Sequence, residues 1–327
     1  MTDTTSTPIT SPFGVRSTAL DVVKGISLQG QHAVVTGGAS GLGLETSRAL
    51  AAAGAAVTLA VRNTDQGSAA AAHIRADYPL ASIYVAHLDL ADLGSVQRFA
   101  TDYNAKNQPL DILINNAAIM ASPLTRTAQG WEAQFATNHL GHFALSTALL
   151  PSLQRAAAKT GDARVVCLSS SGHKLSGINF DDIHYERSEY NKWKAYGQAK
   201  SANALMALGL HLRYGVQGIT ANAVHPGGIM TGLQKFLPME EMRALGWLKA
   251  DDTPLDIFKN PAQGASTSVW AATSPLLKGR GGLYLEDCKQ GVPTVLGDRV
   301  SGFAPHIADA AIAQRLWDVS EAMLKSV

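Results

Sequence analysis

The chain has 327 residues, of which 46% are hydrophobic and 16% are charged. This is enough apolar material for one large core, and it excludes disordered, coiled-coil and collagen-like chains. The 27 Lys and Arg residues nearly balance the 26 Asp and Glu residues, giving a formal charge of +1. The concentrated positive field that nucleic acids or anionic membranes attract is therefore absent, and we expect a small-molecule partner.

The cysteines and the amino terminus indicate where the chain resides. Cys167 and Cys288 are the two cysteines, and neither belongs to a CxxC pair or has His partners at metal spacing. This pattern favours a reducing cytoplasm over a disulfide framework or a zinc site. The Ser-, Thr- and Pro-rich stretch Met1–Gly14 predicts a loose arm within an amino-terminal segment of residues 1–30, and no segment is apolar enough to cross a membrane.

From Gln31 onward, short apolar runs alternate with Ala- and Leu-rich helical stretches. The predicted strands are His32–Thr36, Ala56–Val61, Ile83–His87, Ile112–Asn115, Arg164–Ser169, Thr220–Val224 and Gly282–Leu285. The predicted helices are Leu42–Ala53, Gln66–Asp77, Leu93–Asn104, Ala128–Ala157, Ala195–Tyr214, Asn260–Thr273 and Ala308–Leu324. This alternation predicts one α/β domain over residues 31–327, a doubly wound Rossmann fold with a central seven-stranded parallel sheet.

Two connections, residues 171–194 and 226–259, are longer than the roughly 2–6 residues usual between strand and helix. Both follow predicted strands, and in an open α/β sheet ligands bind at the carboxyl ends of strands. Their apolar side chains predict substrate loops, with Leu175, Trp193, Phe236 and Trp247 as candidate substrate-binding residues. The simpler alternative is that these side chains pack against each other or against a second subunit.

A glycine-rich turn links the first predicted strand to the first predicted helix. Gly37 permits a tight turn, Gly41 permits close approach to a phosphate, and Gly43 permits close contact between helix and strand. The helix amino terminus offers free N–H groups to the same phosphate. We predict that Gly37, Ser40, Gly41, Leu42 and Gly43 bind a dinucleotide, although a purely structural turn also fits.

The end of the second predicted strand bears on the choice of cofactor. NAD-binding sheets place an acidic residue there, whereas this chain has Arg62 and Asn63. Because a guanidinium can pair bidentately with a 2′-phosphate, Arg62 favours NADP over NAD. The alternative is an ordinary surface arginine at a strand end.

Tyr196 and Lys200 are one helical turn apart, and they follow Ser169-Ser170 at the end of the preceding strand. A phenol that exchanges protons at neutral pH needs a nearby cation, and Lys200 is placed to supply it. Lys200 would also bind the nicotinamide ribose, Ser170 would orient the substrate oxygen, and Asn138 would hold a water that connects Lys200 to solvent. These four residues form the predicted catalytic set.

Together these motifs resemble the short-chain dehydrogenase/reductase family over the chain from about Gln31 onward. The matching positions are Thr36-Gly37-xxx-Gly41-x-Gly43, Asp89, Asn115-Asn116-Ala117, Asn138, Ser170, Tyr196/Lys200 and Pro226-Gly227-xxx-Thr231. Stretches such as Asn138-His139-Leu140-Gly141-His142-Phe143 are similar to the branch of retinol dehydrogenases and WW-domain oxidoreductases, which also contains light-dependent protochlorophyllide reductase. Ala118 and Gly38 depart from the family pattern.

The resemblance implies an NADP(H)-dependent alcohol dehydrogenase or carbonyl reductase. It implies that Asp89 contacts the adenine, that Asn115 lies on the adenosine side, and that Thr231 contacts the nicotinamide carboxamide after Pro226-Gly227 turns the chain. Further cofactor-binding residues that we expect are Leu90, Ala117, Pro226 and Gly227. It also implies a homodimer or homotetramer joined through Ala128–Ala157 and Ala195–Tyr214. The apolar loops favour a bulky hydrophobic or aromatic ketone or secondary alcohol as substrate.

Two alternatives for the function remain open. One is a C=C bond reductase of the light-dependent type, and the other is a catalytically silent nucleotide-sensing protein. The complete catalytic set argues against the silent protein, because a sensor has no need of a proton relay. His139, His142, His173 and His225 are spread over separate elements, so we expect polar or packing histidines and no metal site.

Overall fold

The structure is a computed structural model that describes residues 7–294, 298 and 300–326. Its sheet has the strand order β3-β2-β1-β4-β5-β6-β7-β8. The strands are β1 (His32–Thr36), β2 (Ala56–Val61), β3 (Ile83–His87), β4 (Ile112–Asn115), β5 (Ala163–Leu168), β6 (Ile219–His225), β7 (Tyr284–Glu286) and β8 (Lys289–Gln290). The first seven strands are parallel, which confirms the predicted fold.

Strand β8 was not predicted, and it pairs antiparallel to β7. The two residues between these strands, Asp287 and Cys288, both have positive φ angles, of 47° and 56°. This backbone conformation is typical of tight two-residue hairpin turns, but neither residue is a glycine and the turn therefore has no obvious sequence signal. The sheet thus has eight strands rather than seven.

Helices cover both faces of the sheet. They are α1 (Ala19–Val23), α2 (Gly41–Ala52), α3 (Thr64–Asp77), α4 (Leu93–Ala105), α5 (Ala133–Phe135), α6 (Gly141–Ala148), α7 (Leu150–Thr160), α8 (Lys192–Tyr214), α9 (Met239–Ala244), α10 (Pro261–Gly264), α11 (Ser266–Thr273) and α12 (Ala310–Lys325). Neighbouring side chains of one strand enter opposite layers: Val35 joins the core on one face and Val34 the core on the other. Burial on both faces explains why the strands read as continuous apolar runs.

The predicted helix Ala128–Ala157 is wrong as a single element. The chain turns at Gly130, which has a φ of 82°, and then forms α5, a π-helical turn over Ala136–Leu140, α6 and α7. Pro151 lies in the first turn of α7, where its missing N–H costs nothing, whereas a proline inside one long helix would break the backbone ladder. The predicted helix Asn260–Thr273 is likewise divided into α10 and α11.

The predicted loose arm, Met1–Gly14, is wrong for its described part. Ile9 is buried, its carbonyl accepts a hydrogen bond from the Gln290 N–H at 2.8 Å, and the Ser11 hydroxyl donates to the Cys288 carbonyl at 2.6 Å. The segment therefore covers the outer edge of β8, and unpaired strand edges are commonly protected in this way. Met1–Ser6 lies outside the described residues.

Residues 15–30 are also part of the packed domain. Helix α1 begins with a capping box between Thr18 and Asp21, and it buries Ala19, Val22 and Val23. These side chains join the core cluster that also contains residues of α2 and α11. The predicted boundary at residue 30 therefore does not separate an arm from the domain, because the apolar side chains before it are needed to fill the core.

Candidate active site

The glycine turn lies between β1 and α2, at the point where the strand order reverses. Gly37 and Gly41 have positive φ angles, of 65° and 51°, and a Cβ on Gly43 would overlap the Gly37 carbonyl oxygen. In the described structure, the Ser40 side chain makes no capping hydrogen bond to α2. The turn therefore leaves an open helix amino terminus with free N–H groups, and this arrangement fits a dinucleotide phosphate.

A cleft of about 560 Å³ runs from this turn across the carboxyl ends of the strands. It brings together most of the predicted site residues. Those that line it are Gly37, Ser40, Gly41, Leu42, Arg62, Asp89, Leu90, Ala117, Ser170, Leu175, Trp193, Tyr196, Lys200, Pro226, Gly227, Thr231 and Trp247. The cleft is thus a single site with the glycine turn at one part and the Tyr196 phenol at another.

Five predicted residues do not line the cleft: Gly43, Asn63, Asn115, Asn138 and Phe236. Gly43 packs against the Gly37 carbonyl oxygen, where a Cβ would overlap. The Asn63 side chain instead caps α3, where it accepts hydrogen bonds from the Asp65 and Gln66 N–H groups at 3.0 Å. Asn115 is buried and donates to the Ser146 hydroxyl at 2.8 Å. Phe236 is 38% exposed on the outer surface.

Asn116, which was matched to the family motif but not predicted to bind the cofactor, lines the cleft in place of Asn115. Its side chain donates to the Thr36 carbonyl at 2.8 Å, and its N–H donates to the Thr36 hydroxyl at 2.8 Å. The Ala117 N–H donates to the same hydroxyl at 3.0 Å. These hydrogen bonds hold the end of β4 beside the end of β1. The residues that follow the two strands therefore line the same cleft. Further lining residues that we did not predict include Met120, Lys235 and Phe258.

Asn138 connects two elements behind the cleft. Its side-chain oxygen accepts from the Ile119 N–H at 2.8 Å, and its amide donates to the Ile119 carbonyl at 2.9 Å. The main-chain carbonyl of Asn138 accepts from His142 Nδ1 at 2.8 Å. The side-chain oxygen and amide each use one of their two hydrogen-bonding positions in these contacts, so the water-holding role of Asn138 stays a prediction.

Tyr196, Lys200 and Ser170 converge at the carboxyl end of β5. Tyr196 and Lys200 lie on α8, and Lys200 Nζ is 5.6 Å from the centre of the Tyr196 ring. Lys200 also donates to the Leu168 carbonyl at 3.0 Å. The Ser170 hydroxyl accepts from the Gly172 N–H at 3.1 Å. A Cβ on Gly172 would lie only 2.8 Å from the Tyr196 ring, so the glycine allows the ring to approach this backbone.

Burial changes the acidity of both titratable groups. It raises the pKa of Tyr196 to about 12, against the opposing effect of the hydrogen bond with Ser170. It lowers the pKa of Lys200 to about 8. At neutral pH the phenol therefore carries its proton and the lysine carries its charge. The Tyr196 phenol is therefore able to donate a proton to a substrate oxygen beside Ser170. The positive charge of Lys200 stabilises the phenolate that results.

The family comparison agrees with this geometry. The model for short chain dehydrogenases matches residues 31–241. The chain belongs to the short-chain dehydrogenase/reductase family. It is 46% identical over 307 residues to a "Probable oxidoreductase" of Streptomyces antibioticus, a match covering 92% of this chain and 100% of that protein. It is 35% identical to the WW domain-containing oxidoreductase of Pongo abelii, covering 94% of this chain and 72% of that protein.

A solved structure extends the likeness to three dimensions. The crystal structure of an uncharacterized protein from Mycobacterium Paratuberculosis has a TM-score of 0.72 and 34% sequence identity, covering 95% of this chain and 98% of that chain. The predicted family is therefore confirmed, and this chain is an oxidoreductase of a fold that binds a nicotinamide cofactor.

The two long loops of this short-chain dehydrogenase form an apolar wall beside Tyr196. Met120, Leu237 and Met242 are buried against the tyrosine. Trp193 and Trp247 meet edge to face with their ring centres 6.0 Å apart. Glu241 of α9 accepts from Lys192 Nζ at 2.6 Å and from Trp193 Nε1 at 3.1 Å. The loop after β6 is thereby fastened to the start of α8.

One face of α8, a helix predicted to join subunits, is covered within the chain by α12, whose Trp317 ring would lie 3.1 Å from a Cβ on Gly209. Trp317 of α12 meets Phe143 edge to face at 4.7 Å, and the Arg213 guanidinium lies 4.1 Å from the Trp317 ring centre. His139 Nε2 and the Ser320 hydroxyl are 2.9 Å apart. Helix α12 thus covers part of this region within the chain, and the interface through Ala128–Ala157 and Ala195–Tyr214 stays a prediction.

Within the described part of the chain, no helix is both long and apolar enough to span a membrane. The same residues contain no group of three His, Cys, Asp or Glu side chains arranged to hold a metal ion. Cys167 and Cys288 are buried and unpaired with each other.

Proposed function

We propose that this short-chain dehydrogenase is an NADP(H)-dependent oxidoreductase acting on bulky hydrophobic or aromatic ketones or secondary alcohols. The observation that carries the proposal is the meeting of Tyr196, Lys200 and Ser170 in the same cleft as the open amino terminus of α2. One part of the cleft fits a dinucleotide, and the other holds a proton donor beside an apolar wall. A reduction of a carbonyl group needs both.

The glycine turn, Thr231 and Lys200 would hold the cofactor, which supplies or accepts a hydride when bound. The substrate oxygen lies between Ser170 and Tyr196 in this proposal. Ser170 donates a hydrogen bond that orients the oxygen, and Tyr196 gives it a proton in reduction or removes one in oxidation. Lys200 stabilises the phenolate by its charge. Thr231 is near the turn, since a Cβ on Gly41 would lie 3.6 Å from its methyl group.

The preference for NADP rests on Arg62. Arg62 follows β2 directly, lines the cleft and is exposed, so its guanidinium is free to approach a 2′-phosphate. Asn63, the other residue predicted to contact the cofactor there, is committed to capping α3. The choice between cofactors therefore depends on a single cation at this strand end.

We expect Arg62→Ala to weaken NADPH binding by about 10–150-fold, which corresponds to losing a charge-assisted hydrogen bond worth about 1.5–3 kcal/mol. NADH binding should stay unchanged, because NADH has no phosphate at that position. Fluorescence titration of both cofactors measures the two affinities. Equal losses for NADPH and NADH, or tighter binding of NADH to the unmodified protein, would contradict this assignment.

The substrate class rests on the wall formed by Trp193, Trp247 and the buried cluster around Tyr196. Within this wall, Ser170 and Tyr196 are the main polar groups expected to converge on a substrate. A sugar or a charged metabolite would leave its polar groups without partners there, which is costly. An apolar or aromatic carbonyl compound meets the wall without that cost.

We expect Trp247→Ala to raise KM for bulky aromatic ketones by about 10-fold, because it removes apolar contacts between the pocket and the substrate. NADPH affinity and KM for small ketones should change little. Phe236→Ala is the matched control, because Phe236 is an aromatic residue of the same loop outside the cleft. If the two truncations have the same effect on KM, the wall does not select the substrate.

Assembly and location remain proposals. A homodimer or homotetramer would have to form through surfaces other than the α8 face that α12 covers, and light scattering would detect a mass above that of one chain. The proposed cytoplasmic location follows from the two unpaired cysteines, and cell fractionation tests it.

A further inference from the structure

Two buried histidines hold one peptide group beside the proposed active site. The group joins Ser170 to Ser171. Its carbonyl oxygen accepts a hydrogen bond from His173 Nδ1 at 2.6 Å, and its N–H donates to His225 Nδ1 at 3.2 Å. We call this pair, His173 and His225, the histidine clamp.

The hydrogen-bond partners assign opposite tautomers to the two rings. A carbonyl can only accept, so His173 carries its proton on Nδ1, and its Nε2 accepts from the Ala304 N–H at 3.0 Å. An N–H can only donate, so His225 Nδ1 is bare and its proton is on Nε2. Both contacts therefore require neutral imidazoles.

The surroundings keep the rings neutral and fixed. Burial lowers the pKa of His173 to about 4, with His306 and Lys174 acting in the same direction and the hydrogen bond to Ser170 opposing them. Burial lowers the pKa of His225 to about 3, where Lys259 acts in the same direction and Asp287 against it. The Tyr284 ring packs edge to face on His173 at 5.1 Å and parallel to His225 at 6.5 Å.

The clamped peptide controls where the Ser170 hydroxyl points. Holding both the carbonyl and the N–H of this peptide fixes its plane, and hence the ψ angle of Ser170. Ser170 is the second residue after the end of β5, and its side chain lies beside Tyr196. Its hydroxyl accepts a local hydrogen bond from the Gly172 N–H at 3.1 Å. An error of about 1 Å in such a group can cost about 10²-fold in rate.

We propose that His173 and His225 are positioning residues, which hold the Ser170–Ser171 peptide plane and thereby aim the Ser170 hydroxyl at the substrate oxygen. This inference rests on the proposed oxidoreductase function. Through the Ala304 contact, His173 also links Ser170 to the segment that precedes α12. Neither histidine touches the substrate in this proposal.

The experiment compares leucine with asparagine at each position, because the two side chains have similar size but only asparagine forms hydrogen bonds. At position 173 the asparagine amide replaces the Nδ1 donor, and at position 225 its oxygen replaces the Nδ1 acceptor. We expect His173→Leu and His225→Leu each to lower kcat by about 10²-fold, with NADPH affinity unchanged. The two asparagine variants should recover most of kcat, and the double leucine variant should be little worse than either single one.

His139→Leu is the matched control for the two leucine variants. His139 is fully buried and bridges two elements through its Nε2 contact with Ser320 at 2.9 Å, as His173 bridges two elements, but it does not contact Ser170. Its replacement should lower the free energy of unfolding without lowering kcat. If the leucine variants lose stability but keep kcat, or if asparagine recovers nothing, the two histidines are packing residues and the proposal is wrong.

A measurement on the protein without turnover separates this inference from the proposed function. Nitrogen-15 NMR of labelled histidine reports which ring nitrogen carries the proton. The clamp predicts an Nδ1–H tautomer for His173 and an Nε2–H tautomer for His225, both constant between about pH 5 and 8. If both rings have the same tautomer, or if either ring titrates in that range, the histidine clamp is wrong even when turnover is found. A protein with the predicted tautomers but without any turnover would instead refute the proposed function.

Discussion

Tyr196→Phe is expected to reduce turnover by about 10²–10⁴-fold, the usual value of a positioned proton transfer. The phenol is buried in the cleft, and burial raises its pKa to about 12, so it holds a proton at neutral pH. Phenylalanine keeps the ring that packs against Gly172 but lacks the proton. We therefore expect the fold and the NADPH affinity to survive.

Steady-state NADPH oxidation measures the turnover, and fluorescence titration measures the cofactor affinity. Tyr103→Phe is the control, since Tyr103 is buried with its hydroxyl on the Pro109 carbonyl at 3.4 Å, outside the cleft. That variant should turn over substrate at the unmodified rate. A Tyr196→Phe protein that retains more than a few per cent of the turnover would exclude Tyr196 as the proton donor.

Lys200→Met is expected to lower kcat by about 10²–10³-fold, which is typical for the loss of a preorganised electrostatic contact in an active site. It should also weaken NADPH binding, because Lys200 is proposed to bind the nicotinamide ribose. Methionine keeps most of the apolar stem and removes the charge that lies 5.6 Å from the Tyr196 ring. Lys194→Met, a change at an exposed position of the same helix, should leave both quantities unchanged.

The pH dependence gives a second test of Lys200. Its pKa is lowered to about 8 by burial, so its charge is present below that pH and is lost above it. We expect kcat/KM for NADPH in carbonyl reduction, which reports the groups of the free protein, to fall as the pH rises through about 8, because Lys200 then loses its charge. This alkaline decrease should be absent from the much slower Lys200→Met protein. The same decrease in both proteins would assign it to another group.

The lowered pKa also predicts a change in stability of the cofactor-free protein. The folded chain releases the Lys200 proton near pH 8, whereas the unfolded chain keeps it up to the ordinary lysine value of 10.5. Between these values the unfolded chain binds more protons, so the contribution of Lys200 to the free energy of unfolding rises with pH. Comparing urea unfolding of the unmodified and Lys200→Met proteins at pH 7 and 9 isolates this contribution.

The position of the site could be predicted because its residues directly follow strands. The apolar runs ending at Thr36, Leu168 and His225 mark the carboxyl ends of β1, β5 and β6. Strands of a parallel sheet end at the same edge, so the residues after them must meet. Most of the glycine turn and Ser170 were identified in this way, Pro226 was identified through the family resemblance, and these residues line the cleft.

The choice between Asn115 and Asn116 could not be made from the sequence. Neighbouring residues at a strand end point in opposite directions, and the direction depends on where β4 stops. The strand ends at Asn115, whose side chain enters the core beside Ser146 and Cys167. Asn116 consequently faces the cleft. The side chain of Asn63 caps α3 and does not line the cleft, and an asparagine between a strand and a helix is typical of an N-cap.

Long-range packing was the other feature that local patterns did not reveal. Nothing in Ile9 or Ser11 indicates that they meet residues near position 290. The alanine-rich surface of α8 is compatible with a second subunit or with another helix of the same chain, and the choice of α12 depends on where Trp317 is placed in three dimensions. Side-chain periodicity predicts that a face is buried without indicating what covers it.

Turnover of NADPH against a panel of aromatic ketones, aldehydes, steroids and retinoids is the most direct test of the proposed activity. Loss of the NADPH absorbance should accompany conversion of a bulky apolar carbonyl compound to its alcohol, faster than with NADH, and should disappear in Tyr196→Phe. NADPH binding without turnover of any compound would indicate a nucleotide-sensing protein. Reduction of a C=C bond with the carbonyl group intact, or a preference for NADH, would likewise contradict the account.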